Sequence, residues 1–227
     1  KGVPRKNIKK LGNLPLIAYK IIAAKKCKID KRIIVSTEDY EIAEVAKKYG
    51  AEVPFMRPEE LATDVASSMD VVLHAMEWVE KNDDTKYDYI CLLEPSSPFA
   101  TYSDLEEALC MMQEKGADTL LGMKEVEVNT VFIHELDENG KLSYFYESIL
   151  GLSDLRRQDR QKQYTMNGCM YIARWEYFKE NKLFHSKNSV PYIMSEEKSI
   201  EIDSMYNFNI ASYLVENQLI DLQPWQE

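Results

Sequence analysis

Tyr89-Ile90-Cys91-Leu92-Leu93-Glu94-Pro95-Ser96-Ser97-Pro98 sets the architecture of this chain. An apolar run ends at a carboxylate, and two prolines then bracket a pair of serines. A run this short, bounded by turn formers, reads as a buried strand rather than a helix. The prolines make the turn rigid, so it is able to aim backbone groups and a serine at a ligand, or is simply an ordinary strand–turn–helix connection. Beyond it, Ser103 is placed to cap a helix running to Lys115 and closed by Gly116, and Thr119 to Met123 reads as the next strand.

The same rhythm holds upstream. Leu16 to Ala24 carries apolar residues at helical spacing. Arg32-Ile33-Ile34-Val35-Ser36 is β-branched and short, and predicts a buried strand. Asp39 is placed to cap a helix from Tyr40 to Tyr49, stopped by Gly50. Glu52-Val53-Pro54-Phe55 predicts a short edge strand, and Asp70 to Glu80 another helix. Alternating strands and helices with short links predict an α/β fold with a Rossmann-like, mostly parallel sheet and helices on both faces. Ligands of such sheets bind beyond the carboxyl ends of strands, which directs attention to Ser36-Thr37-Glu38-Asp39, to Arg57 onwards and to Glu94–Pro98.

After Lys124 the rhythm changes. Val131 to Glu135, the turn Asp137-Glu138-Asn139-Gly140 and Leu142 to Tyr146 predict a hairpin. A polar, basic stretch from Ser153 to Gln163 follows. Residues 125–166 are therefore expected to form an arm within a single domain spanning 1–227. Regular structure resumes with a strand Cys169 to Ala173, a helix Trp175 to Asn181, strands Pro191 to Met194 and Ile200 to Ile202, and a last helix Phe208 to Glu216.

The 227 residues carry a formal charge of -10 and 45% hydrophobic residues. That suits a packed core and argues against nucleic acid as a partner. No apolar run approaches a membrane span, and no secretory signal is visible. Cys27, Cys91, Cys110 and Cys169 are scattered without a CxxC pair, which predicts free thiols and a cytoplasmic location. His74, His134 and His185 are too dispersed for a zinc site.

Against the acidic balance, the opening Lys1-Gly2-Val3-Pro4-Arg5-Lys6-Asn7-Ile8-Lys9-Lys10 is strongly basic. A cationic loop with a glycine and a proline, leading to a helix, suits a polyphosphate held by Lys1 and Lys6. A phosphate loop normally hangs from a strand, so a strand and the first half of the loop are expected upstream of Lys1. Arg57-Pro58-Glu59-Glu60-Leu61-Ala62-Thr63-Asp64 and then Ala66-Ser67-Ser68 form a polar rim at a strand end, or simply a capped helix start. In Ile200-Glu201-Ile202-Asp203, strand alternation places both carboxylates on one face, suited to Mg²⁺ with phosphate and water completing its shell, although an exposed strand face carries the same pattern. Arg156, Arg157 and Arg160, ahead of Asn167-Gly168, are able to grip a carboxylate from the arm, or to lie in solvent.

In chain order these segments resemble the CMP-sialic acid synthetases, the N-acylneuraminate cytidylyltransferases. That family's pattern runs SKGxPxKN, an STD-like turn, RPxELAxDxASS, an LLQPTSPLR-like turn, RQxxPxxYxxNGxxYI and IDIDTxxD. Here it stands as Lys1–Asn7, Ser36–Asp39, Arg57–Ser68, Leu92–Pro98, Arg157–Ile172 and Ile200–Asp203. The resemblance implies attack by the anomeric hydroxyl of a 2-keto-3-deoxy sugar acid on the α-phosphorus of CTP, with release of pyrophosphate. It implies that Lys6 and the loop amides hold the triphosphate, with Asn7 and Ser68 near the nucleotide and Arg57 helping to read cytosine. It further implies Asp203, with Glu201 beside it, as ligands of Mg²⁺. Glu94, Ser96 and Asn167 would line the sugar, Arg157 would hold its carboxylate, and the arm would join two subunits in a homodimer.

The chain departs from that pattern at four positions. Glu94 stands for a usual glutamine, Ala100 for an arginine, Thr165 for an arginine found in some members, and Glu201 for an aspartate. Two other readings stay open at this point: a nucleotide-sugar glycosyltransferase using Glu201 and Asp203 as a DxD-like site, and a non-catalytic nucleotide-binding module.

Overall fold

The structure, a computed structural model, describes residues 2–63, 65–128, 130, 133–142 and 161–226. A two-stranded ribbon, β1 (Lys10–Leu11) and β2 (Leu14–Pro15), turns at Gly12 with φ 59° and feeds helix α1 (Leu16–Lys26). Helix α2 (Tyr40–Tyr49) has both expected ends. The Asp39 carboxylate accepts from the amides of Glu41 at 2.8 Å and Ile42 at 3.2 Å, and Gly50 closes the helix at φ 101°. Helix α3 (Ser68–Asn82) is longer than the spacing suggested and is capped by Ser67.

Strand β3 (Tyr89–Leu92) is followed by helix α4 (Tyr102–Glu114), strand β4 (Thr119–Glu125), strand β5 (Tyr164–Arg174), helix α5 (Trp175–Asn181), strand β6 (Ser189–Ile193) and helix α6 (Met205–Glu216). The cap of α4 is Thr101, not Ser103. Thr101 and Asp104 form a reciprocal capping box.

The four longer strands pair in the order β3-β5-β4-β6. β5 runs antiparallel to both β3 and β4, and only β4 and β6 are parallel. The sheet is therefore mixed among the described residues, where a mostly parallel one was expected. Local patterning fixes which segments are strands but not which neighbour each one meets. Helices do cover both faces. β5 sends Met170 and Ile172 into a core shared with α1 and α4, and Tyr171 and Ala173 into one shared with α3 and α5.

Three expected strands, Arg32–Ser36, Glu52–Phe55 and Ile200–Ile202, are reduced to extended segments. Among the described residues the backbone of Ile33–Val35 pairs only with Glu52, whose amide donates to Ile33 at 2.7 Å and whose carbonyl accepts from Val35 at 2.9 Å. Pro54 has no N–H to carry that ladder further. The segment 200–202 is anchored by the Ile202 amide on the Ser96 carbonyl at 2.8 Å. Its burial still alternates, with Ile202 buried and Glu201 and Asp203 exposed.

A third core ties the end of the chain to its beginning. The Tyr19 hydroxyl donates to Leu11 at 2.7 Å, the Trp225 indole donates to the Tyr19 carbonyl at 3.0 Å, and Phe99 packs edge-on to Tyr19. Burial pushes the Tyr19 phenol up to about 12.

In the expected arm, the turn is present. Gly140 takes φ 74°, Asp137 accepts from Asn139 and Lys141, and Leu136 bridges Leu142. The remainder of the second strand and Arg156, Arg157 and Arg160 lie outside the described residues. Among the described residues no helix is long and apolar enough to cross a membrane.

Candidate active site

The basic loop folds against the acidic segment near the other end of the chain. Arg5 adopts φ 52° and heads a 3-10 turn over Lys6–Ile8. Its guanidinium pairs with Glu41 and lies 3.8 Å from Asp39, so this cation holds the loop onto α2. Lys6 points the other way and donates to Asp203 Oδ1 at 3.1 Å. The closeness begins at the backbone. A Cβ on Gly2 would fall 1.8 Å from the Asp203 carbonyl oxygen, so only glycine fits there. The Asp203 carboxylate is 66% exposed, and this end of the site faces solvent.

Beside it, Gly168 sits at φ 66° in the left-handed region. A Cβ there would lie 3.2 Å from both Glu94 Oε2 and Glu201 Oε1, and 2.6 Å from Ser97 Oγ. Two carboxylates and a hydroxyl thus converge on one backbone turn. Burial, then the charge of Glu201, raises Glu94 above the usual carboxylate range, while Lys6 pulls it back. The Tyr171 phenol, on the strand behind, is pushed up to about 12 by burial, with Glu94 and Glu201 adding to the effect.

From this cluster a cavity of about 880 Å³ runs inward between the extended segment 31–37 and β3. Asn7, Arg57, Ser68 and Glu94 all line it. Ser68 is the first residue of the long helix α3, whose free amides and positive dipole end face anions favourably. Arg57 is held by the Ser36 carbonyl and lies 3.6 Å from Glu38, which binds it to the Ser36–Asp39 turn.

Other expected residues fall differently. Ser96 turns its carbonyl to Ile202, whereas Ser97 is fully buried with a hydroxyl that lacks a hydrogen-bond partner among the described residues. Asn167 is also buried. Its amide donates to Ser199 at 2.9 Å and accepts from the Cys169 amide at 3.1 Å, so it braces the Gly168 turn from below. Ala100 is wholly buried in the core. Lys1 and Arg157 lie outside the described residues.

Among the described residues no group of three or more histidine, cysteine or acidic side chains is arranged as a metal cage. The oxygen donors of Asp203 and Glu201 fit Mg²⁺ all the same, because that ion is bound through one or two carboxylates plus substrate phosphates and water.

Two features escaped the sequence reading. One is Ser97. The other is Lys20, 4% exposed on α1, whose ammonium donates to the Cys169 carbonyl at 2.8 Å. Lys20 falls three and four residues after Ile17 and Leu16 and before Ala23 and Ala24, on the face that packs inward. That spacing was the available signal.

Residues 1–226 match the family described as Cytidylyltransferase. The chain is 34% identical to the CMP-N,N'-diacetyllegionaminic acid synthase of Campylobacter jejuni over 95% of its own length and 90% of the relative's. It is 33% identical to the post-translational flagellin modification protein B of Campylobacter coli, covering 96% of this chain and 91% of that one. It is 32% identical to the N-acylneuraminate cytidylyltransferase of Escherichia coli O18:K1:H7, covering 93% of this chain but spanning 48% of that protein. In fold it is similar to a CMP:2-keto-3-deoxy-manno-octonic acid synthetase complexed with CTP, with a TM-score of 0.66 at 14% identity, covering 96% of this chain and 94% of that one. A full-length family match, and a fold that brings the first and last motifs together, place the chain in the cytidylyltransferase family.

Proposed function

We propose that this protein transfers CMP from CTP to the anomeric hydroxyl of a nine-carbon 2-keto-3-deoxy sugar acid, a nonulosonate, and releases pyrophosphate. The observation that carries this reading is the meeting of Lys6 and Asp203, with Asn7, next to Lys6, lining a cavity together with Arg57, Ser68 and Glu94. The substrate class draws on relatives named for legionaminic, pseudaminic and acylneuraminic acids.

Lys6 and the amides of the basic loop bind the triphosphate and offset the charge that builds on departing pyrophosphate. Asn7 and Ser68 sit beside the nucleotide, and Arg57, fixed by Ser36 and Glu38, faces the base. Glu94 and Ser97 orient the sugar from the Gly168 side. Arg157 takes the sugar carboxylate, a role that rests on its sequence position alone. Catalysis is mainly positioning and charge neutralisation. Asp203 and Glu201 would hold Mg²⁺, which when bound supplies positive charge to the phosphate oxygens. The arm over 125–166 joins two copies in a homodimer, and the enzyme works in the cytoplasm as a single domain.

The test is incubation with CTP, Mg²⁺ and separate sialic, legionaminic, pseudaminic, Kdn and Kdo acids, with the CMP-sugar detected by mass. One nonulosonate should be converted in preference to Kdo. Absence of product from every acid would overturn the proposal.

A further inference from the structure

Lys20 is the one buried lysine among the described residues. Its ammonium has three donors, and the Cys169 carbonyl accepts one of them at 2.8 Å. A buried positive charge is costly unless a negative one stands near it. Burial lowers the Lys20 pKa, and against it Cys169, Cys91 and then the carboxylates Asp104 and Glu94 act to hold the charge. Asp104 is already engaged by Lys198 at 2.9 Å and by Thr101 at 2.7 Å. Glu94 makes no direct ion pair among the described residues, shares the cavity wall with Lys20, and stands against Glu201 at the Gly168 turn. Cys169, which Lys20 grips, is the residue after Gly168.

We infer that Lys20 is a positioning residue of the sugar end of the site. Its buried ammonium offsets the charge of Glu94 through the cavity and, by holding Cys169, fixes the Gly168 turn on which Glu94 and Glu201 converge. This assignment rests on the proposed function only for the identity of the group that Glu94 faces. The charge relationship is a property of the protein without substrate.

The test is a double-mutant cycle on the full chain with Lys20→Met, Glu94→Gln and the pair. Without substrate, Lys20→Met should lower the unfolding midpoint by about 10 °C. The pair should recover roughly half of that loss, because removing Glu94 removes the charge that Lys20 offsets. Losses that simply add would overturn the inference, because Lys20 would then act independently of Glu94. Where Lys20→Met fails to fold, the same comparison is made on soluble yield. Recovery in the double variant supports the inference, and a double variant equally insoluble overturns it. In turnover, Lys20→Met should raise the sugar KM about tenfold while the CTP KM stays within about twofold. A parallel rise in both would contradict a role at the sugar end. Failure of the wild-type protein to convert any nonulosonate would overturn the proposed function and leave the stability cycle intact.

Discussion

Lys6 Nζ and Asp203 Oδ1 lie 3.1 Å apart across 197 residues of sequence. Lys6 comes from the basic opening loop and Asp203 from the acidic segment before the last helix. Their meeting brings two separate motifs together in one candidate site. The pair is exposed, 28% at Lys6 and 66% at Asp203, so it contributes little to folding. Asp203→Asn should therefore leave the unfolding midpoint within about 2 °C. Pyrophosphate release should fall about a hundredfold or more, as expected when a charge-stabilising group is removed from a phosphoryl-transfer site. Steady-state release at saturating Mg²⁺, set beside a thermal melt, checks both halves. Unchanged turnover would remove Asp203 from the site.

Gly2→Ala tests the backbone contact beneath that pair. The new methyl would meet the Asp203 carbonyl oxygen at 1.8 Å, and a backbone atom has little freedom to give way. The loop must lift, carrying Lys6 away from Asp203. The expected outcome is a CTP KM raised by about tenfold or more together with a loss of stability, because Val3, next to Gly2, is buried in the core beside Leu11 and Ile202. Titration of CTP against the variant measures it.

Asp104 links α4 to the following structure and gives a pH signature. Burial works to raise its pKa, but the Thr101 hydrogen bonds and the Lys198 charge outweigh this and hold it below the ordinary value of 3.8. A carboxyl depressed on folding stabilises above its unfolded pKa, and that stability is lost as pH falls through the folded value. Asp104→Asn should cost about 2 kcal/mol at pH 7, through the broken capping box and the unpaired Lys198. The gap between wild type and variant should narrow below roughly pH 4. Urea denaturation at neutral and acid pH reads it directly, and a constant gap would refute the coupling.

Arg57 is restrained by the Ser36 carbonyl and by Glu38. Arg57→Lys keeps the charge but loses the planar fork that makes both contacts. It should raise the CTP KM about tenfold and leave the sugar KM nearly unchanged. The two KM values, measured separately, distinguish a nucleotide role from general damage.

Much of this arrangement was legible in the amino-acid order, for reasons that can be named residue by residue. Both ends of α2 were readable because Asp39 and Gly50 act on their immediate neighbours. The choice between Thr101 and Ser103 as a cap was not decided locally, because each has an acid three residues on, Asp104 and Glu106, and the structure uses the first pair. The sheet was less legible. Arg32–Ser36 has a strand's composition, yet its partner segment contains Pro54 and pairing stops at Glu52. The antiparallel placing of β5 between β3 and β4 is a long-range choice that no short pattern encodes. At the candidate site, Lys6, Arg57, Glu94 and Asp203 could be singled out because each sits in a motif with distinctive chemistry. Ser97 and Lys20 were not. Which of two adjacent serines points inward depends on how the turn packs on Gly168, and a single lysine in a helix usually lies in solvent.

The most direct measurement is a structure of this protein with CTP and Mg²⁺ bound. The triphosphate should lie between Lys6 and Asp203, with the nucleoside reaching past Asn7 and Ser68 towards Arg57. A nucleotide bound elsewhere, touching neither Lys6 nor Asp203, would contradict the account.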